Sequence, residues 1–330
     1  MKIRTKRFGI VTAVSVAVVI MLIMTIVSAV NLNDRSAMTL TAHGFTPTVI
    51  ETTADKQIVG TRDGRVICKT YEDETLWEYR LESEGALRDI VADGGELLCV
   101  TAETKEFFVL DEEGAFLGKV GLSYEPVAIA ADAEHAVIYT KLKTKNQMVV
   151  FSRSGNSTDL GSAKKSANDL PEFSNIEMTD SGMVFALGAD ATPYRFDTEN
   201  VSASPEEIFT VTNEELIYMI ASGENYLAVT KDGKFVEYDG AGKVLSRVGG
   251  GERFVSVSSD GGRIVALSNR NDISYFDGNR VYKVDTGIQV SKIMVAEQGV
   301  FLIDKSDNIS AYDFSRIVAN HTFKILLPVF

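Results

Sequence analysis

Gln57-Ile-Val-Gly-Thr-Arg-Asp-Gly-Arg-Val-Ile-Cys-Lys-Thr-Tyr-Glu-Asp-Glu-Thr-Leu-Trp-Glu-Tyr-Arg-Leu81 holds three short apolar runs separated by two polar breaks. The first break, Asp63-Gly64, suits the positive φ angles of a type I′ turn, whose twist matches that of paired strands, and so predicts a hairpin. The second, Glu72-Asp73-Glu74, returns the chain into a third strand holding Trp77, the only tryptophan. A unit this small cannot bury both its faces alone. It must stack on others like it.

The unit recurs. An apolar or aromatic residue followed by a polar one closes a strand at Tyr71-Glu72, Leu110-Asp111, Phe151-Ser152, Phe196-Asp197, Tyr238-Asp239, Phe276-Asp277 and Tyr312-Asp313, at intervals of 36 to 45 residues. A hairpin turn precedes each pair, at Asp63-Gly64, Thr104-Lys105, Lys145-Asn146, Asp190-Ala191, Asp232-Gly233, Asn271-Asp272 and Asp307-Asn308. Each period has room for four strands; in the fifth they fall at 217–221, 226–230, 234–238 and 244–248. Periods near 40 residues with four strands each are the mark of β-propeller blades. The fold expected over residues 45–330 is therefore an all-β, seven-bladed β-propeller. The polar stretch 157–169 reads as a loop or a weak outer strand. Pro205-Glu206-Glu207 is the one place after residue 30 with any helical character. Residues 38–42 are the candidate ring-closing strand, pairing with the last blade near 316–322. The apolar end, 325–330, packs on that blade or docks a partner.

The amino terminus is of another kind. Lys2, Arg4, Lys6 and Arg7 form a basic cluster, and residues 8–30 carry no charge. That run has the length of a membrane-spanning helix. The basic flank places residues 1–30 as a cytoplasmic segment and signal-anchor helix, with 31–44 a linker on the far side. Val27-Ser28-Ala29 also suits a signal peptidase, although the apolar run is longer than a cleaved signal needs. Either way the remainder is exported. The expected location is the cell membrane, single-pass, with an extracytoplasmic propeller, in a bacterial cell.

The net charge is −13, and the first thirty residues hold four bases and no acid, so the exported part carries −17. Such a body repels nucleic acid and anionic headgroups. Cys68 and Cys99, the only cysteines, both sit in apolar strand-like runs and read as buried free thiols, a bridge being the alternative. No Cys-x-x-Cys occurs and His43, His135 and His321 are scattered, so no metal or cofactor is expected.

The first repeat, with Asp63-Gly64-Arg65-Val66, Tyr71 and Leu76-Trp77-Glu78-Tyr79, resembles the quinoprotein-type (PQQ-like) propeller repeat. Later repeats keep its spacing but lose the tryptophan, with Phe116-Leu117 and Val244-Leu245 in its place. The vicinal cysteines and calcium ligands of that group's dehydrogenases are not visible. The resemblance thus implies a non-enzymatic member, a scaffold holding membrane-protein partners.

The carboxylates invite a hydrolase reading. Yet Asp111, Asp197, Asp239, Asp277 and Asp313 recur at one point of the repeat, as turn-capping residues do. Hairpin turns expected on one rim carry Arg62, Lys105, Lys143, Lys145, Lys231, Arg270 and Lys305, a candidate docking rim for an anionic partner. The expected function is a membrane-anchored scaffold for a membrane or envelope protein, not an enzyme. The alternatives are a ligand-recognising accessory subunit of a transporter or sensor, with a small molecule in the channel, and a cell-surface glycan-active enzyme.

Overall fold

The computed structural model describes residues 44–318 apart from short internal stretches. Every interpretable element but one helical turn is a strand, grouped in seven antiparallel sheets. Blade 1 is β1 (Pro47–Thr52), β2 (Lys56–Thr61), β3 (Arg65–Thr70) and β4 (Thr75–Arg80). Blade 2 is β5 (Leu87–Asp93), β6 (Glu96–Thr101), β7 (Glu106–Asp111) and β8 (Phe116–Gly121). Blade 3 has β9 (Glu125–Ala131), β10 (His135–Leu142) and β11 (Lys145–Ser154), with β12 (Ser157–Thr158) and β13 (Lys165–Asn168) both pairing with β11. Its polar stretch is thus a weak outer edge, as the sequence implied.

Blade 4 comprises β14 (Phe173–Met178), β15 (Met183–Gly188), β16 (Pro193–Asp197) and β17 (Glu206–Glu207). The Pro205-Glu206-Glu207 segment is strand rather than helix, because Arg195 of β16 pairs with it and its guanidinium binds the Glu206 carboxylate at 2.8 Å. Blade 5 is β18 (Leu216–Ser222), β19 (Asn225–Thr230), β20 (Lys234–Tyr238) and β21 (Val244–Gly249). Blade 6 is β22 (Phe254–Asp260), β23 (Arg263–Ser268), β24 (Asp272–Phe276) and β25 (Val281–Asp285). Blade 7 is β26 (Val290–Ala296), β27 (Gly299–Asp304) and β28 (Ile309–Asp313).

The core explains why these sheets form a ring. Second and third strands are buried along their length, β6 at all six positions, whereas the outer strands β4 and β8 alternate or lie exposed. Each blade presents apolar residues on both faces, so each face needs a neighbour. Seven hydrophobic clusters result, one per junction. Ile58, Val66 and Cys68 meet Leu87, Ile90 and Phe108 between blades 1 and 2, while Ile50, Val59 and Ile67 meet Met294, Phe301 and Ala311 between blades 1 and 7. The second set closes the circle.

The expected closing strand, 38–42, the expected membrane helix, 8–30, and the apolar end, 325–330, lie outside the described residues. Among the described residues, no helix is long and apolar enough to cross a membrane. After β28 the chain does not continue as a strand. It makes a helical turn that buries Ile317 against blades 6 and 7 and sets the Phe314 ring 4.7 Å from that of Tyr275.

The hairpins differ from expectation in type. Across β2 and β3 the loop is three residues, and Gly64 (φ 79°) has a positive φ while Asp63 does not. This is a type I turn followed by a left-handed residue, not type I′. Thr61 dictates it: its hydroxyl accepts the Arg65 N–H at 2.8 Å and donates to the Asp63 carboxylate at 2.7 Å. Thr230 does the same for Lys234 and Asp232 in blade 5. Elsewhere Lys105, Ala191, Asn271 and Asp307 take the left-handed position.

Candidate functional site

Consecutive strands run outward from the ring axis in every blade, so the turns between second and third strands share one rim with the blade-to-blade connections. The turns between first and second and between third and fourth strands share the other. Arg62, Lys105, Lys143, Lys145, Lys231, Arg270 and Lys305 all belong to second-to-third turns and so meet on the first rim. All are exposed except the partly buried Lys105. Carboxylates are interleaved with them: Asp63, Glu103, Asp190, Asp232 and Asp307 occupy the same turns, and Glu215 pairs with Lys231 at 2.5 Å.

The channel is lined by the first strands. Residues of β1, β5, β9, β14, β18 and β22 enclose a cavity of ≈ 300 Å³ with Glu51, Asn175, Glu177, Tyr218, Ser259 and Asp260 among its polar walls. A first strand has an edge with no strand beside it, and its N–H and C=O groups need partners. Side chains from adjacent blades supply several. The Ile129 N–H donates to Asp89 at 2.9 Å, Asn175 donates to the Met219 carbonyl at 2.8 Å, and the Ala221 N–H donates to Glu177 at 3.1 Å. Further round, the Val295 N–H donates to Ser258 at 3.0 Å, the Tyr218 and Ser259 hydroxyls are 3.0 Å apart, and Lys292 donates to the Thr48 carbonyl. These bonds stitch blades together from the inside.

The narrow channel also shifts ionisation. Burial pushes the Asp89 carboxyl up to about 6, opposed by the backbone N–H groups of Ile129 and Ile90 and by the charges of Lys292 and Arg88. Burial likewise pulls Lys292 down, opposed by Asp89, and pushes the Tyr218 hydroxyl up to about 12.

The recurring acids act as turn caps. Asp111 accepts the N–H groups of Glu113 and Ala115, Asp239 those of Ala241 and Lys243, and Asp277 those of Asn279 and Arg280, all within 3.1 Å. Asp197 accepts that of Glu199. Their lone pairs are committed to backbone. Among the described residues, no group of three His, Cys, Asp or Glu side chains is placed to hold a metal ion. Cys68 and Cys99 are buried free thiols; burial pushes Cys68 up to about 11 and raises Cys99 as well, which leaves both protonated.

One charged network was not read from sequence. The Arg153 side chain is 0% exposed, in the seam between blades 2 and 3 on the second rim. Its guanidinium binds the Asp93 carboxylate, the Asp93 carbonyl at 3.0 Å, the Asp132 carbonyl and, at 3.5 Å, Glu96. Thr158 of β12 donates to Glu96 at 2.8 Å. At the next seam, His135 of blade 3 lies 3.2 Å from Glu199 of blade 4. The available signal was an arginine standing where Glu112 stands one repeat earlier.

Comparison with family models and with curated proteins gives no match. Solved structures do match. The Myceliophteria thermophila Cps50 (Swd1) β-propeller domain aligns at a TM-score of 0.63 and 12% identity, covering 82% of this chain and 97% of that one. The fold is that of a β-propeller. The Neurospora crassa Pan2 WD40 domain aligns at 0.60 and 12% identity, covering 81% and 89%. BamB from Moraxella catarrhalis aligns at 0.49 and 12% identity, with 79% of each chain covered. At such identities the likeness is one of fold.

Proposed function

We propose that the protein is a binding scaffold, a rigid propeller of the quinoprotein-like kind that offers loop-built rims to another membrane or envelope protein. Residues 8–30 tether it to the membrane and keep the ring on the extracytoplasmic side. One observation carries the reading: the chemically capable side chains of the channel and turns are spent on backbone hydrogen bonds that hold blade to blade and strand to strand. A ring so braced presents a fixed surface, and what remains free to meet other molecules is the two rims.

The anchor is tested by alkaline extraction and outside-in proteolysis of intact cells. The full chain should stay with the membrane and lose its propeller to external protease; release by alkali contradicts the anchor. The scaffold is tested by photo-crosslinking from rim positions in cells, which should trap a discrete membrane-protein adduct. The channel cavity of ≈ 300 Å³ favours a second reading, recognition of a small solute for a transporter or sensor. A thermal shift with a defined solute would support it.

A further inference from the structure

The second rim is acidic almost without relief. Each of the first six blades exposes a carboxylate there: Glu72, Glu112, Glu134, Glu199, Glu224 and Asp277. Between blades 1 and 2 this rim opens into a cleft of ≈ 210 Å³. Its floor is apolar, made by Ile58, Cys68, Ala92, Leu97 and the face of Trp77. Its lip bears Asp55, Asp93, Glu96 and Glu112 against a single lysine, Lys56. An apolar base under a carboxylate lip suits one kind of side chain, a cation on an aliphatic stem.

The neighbouring seam shows what such a place accepts. Register equates Glu112 with Arg153, since Asp111 faces Glu96 in blade 2 as Ser152 faces His135 in blade 3. Between blades 2 and 3 the chain fills the seam itself, seating the Arg153 guanidinium on Asp93 and Glu96. Between blades 1 and 2 the equivalent residue is an acid and the seam stays open. We propose that this cleft receives an arginine or lysine side chain from a basic loop of the partner protein, with the stem against Trp77 and the charge at Asp55 and Glu112.

The occupant is set by complementarity: a cation above an indole face, beside desolvated carboxylates, on a face whose long-range field draws a basic surface inward. This deepens the scaffold reading and rests on it.

Trp77 is the only tryptophan, so its emission reports the cleft directly. The full-length protein, in detergent, is titrated with a blocked tripeptide carrying a central arginine, with the glutamate tripeptide as control. The arginine peptide should change Trp77 emission saturably and the control should not. Glu112→Arg, which copies the plugged seam, should weaken the arginine response roughly tenfold. Glu224→Arg makes the same charge change on the same rim and should leave it nearly intact. In cells, a photo-crosslinker at Ala54 should trap an adduct that Glu112→Arg abolishes and Glu224→Arg spares.

No emission change with the arginine peptide, or equal loss in both variants, overturns the assignment. Adducts formed from Arg270 on the opposite rim and not from Ala54 overturn it and leave the scaffold reading standing. Adducts from neither position end both.

Discussion

The indole Nε1–H of Trp77 donates to the carbonyl of Glu112 at 3.1 Å, fastening the outer strand of blade 1 to a turn of blade 2. The turn is shaped to receive it. Gly114 sits at φ +82° beneath the ring, and a Cβ there would lie 2.6 Å from the indole. Gly114→Ala should therefore displace Trp77 and cost about 1–3 kcal/mol in overpacking. Urea unfolding and a red shift of tryptophan emission are the measurements. Unchanged emission at full stability would show that the ring is not held there.

The hairpin threonines should be individually costly. Thr230 accepts the Lys234 N–H at 3.0 Å and donates to Asp232 at 2.5 Å, so Thr230→Val keeps the shape and removes both bonds. A loss of about 1–2 kcal/mol is expected by chemical denaturation, with Thr230→Ser near wild type.

Arg153 is a buried cation held by two carboxylates. Arg153→Met leaves Asp93 and Glu96 facing each other in the seam and should cost about 3–5 kcal/mol. Adding Glu96→Gln should recover part of that loss. No recovery in the double variant would mean that packing rather than charge holds the seam.

Asp89 makes stability depend on pH in an unusual sense. Its carboxyl titrates near 6 in the folded chain against 3.8 ordinarily, so the folded state holds the proton more tightly than the unfolded one. Its contribution is therefore favourable in acid and is lost as pH rises from about 4 to about 6, by up to about 3 kcal/mol. Asp89→Asn lacks that loss. The Tm of the variant should gain on wild type as pH rises from 4 to 7, and a constant gap across that range would contradict the assignment. Asp277 behaves oppositely: against burial, the N–H groups of Arg280 and Asn279 hold its carboxyl below the usual range, so its support fades only in strong acid.

Much of the ring could be read before its structure, because blades repeat at two scales. The aromatic-acid pairs mark strand ends, and their aspartates fix the following turn through local bonds that span four residues or fewer. What escaped depends on contacts between repeats. Asp89, Asn175 and Glu177 sit at alternating positions of amphipathic strands, where polar residues ordinarily face water. Only the ring turns them onto the backbone of the next blade. Arg153 was silent for the same reason, since Asp93 lies 60 residues away in sequence. The turn type was misjudged because Asp63-Gly64 alone does not reveal the hydroxyl of Thr61, which selects a longer loop.

Both rims, the channel and the cleft exist only if blade 7 meets blade 1. Arg62 and Ser306 line one crevice across that junction, although 244 residues separate them. With Cys68 and Cys99 buried and inert, Arg62→Cys and Ser306→Cys give a selective pair for a short, flexible bismaleimide. Nearly complete internal bridging in the native protein, abolished in urea, is the expected result. Two independent single modifications, with no bridge under native conditions, would mean that the circle is open.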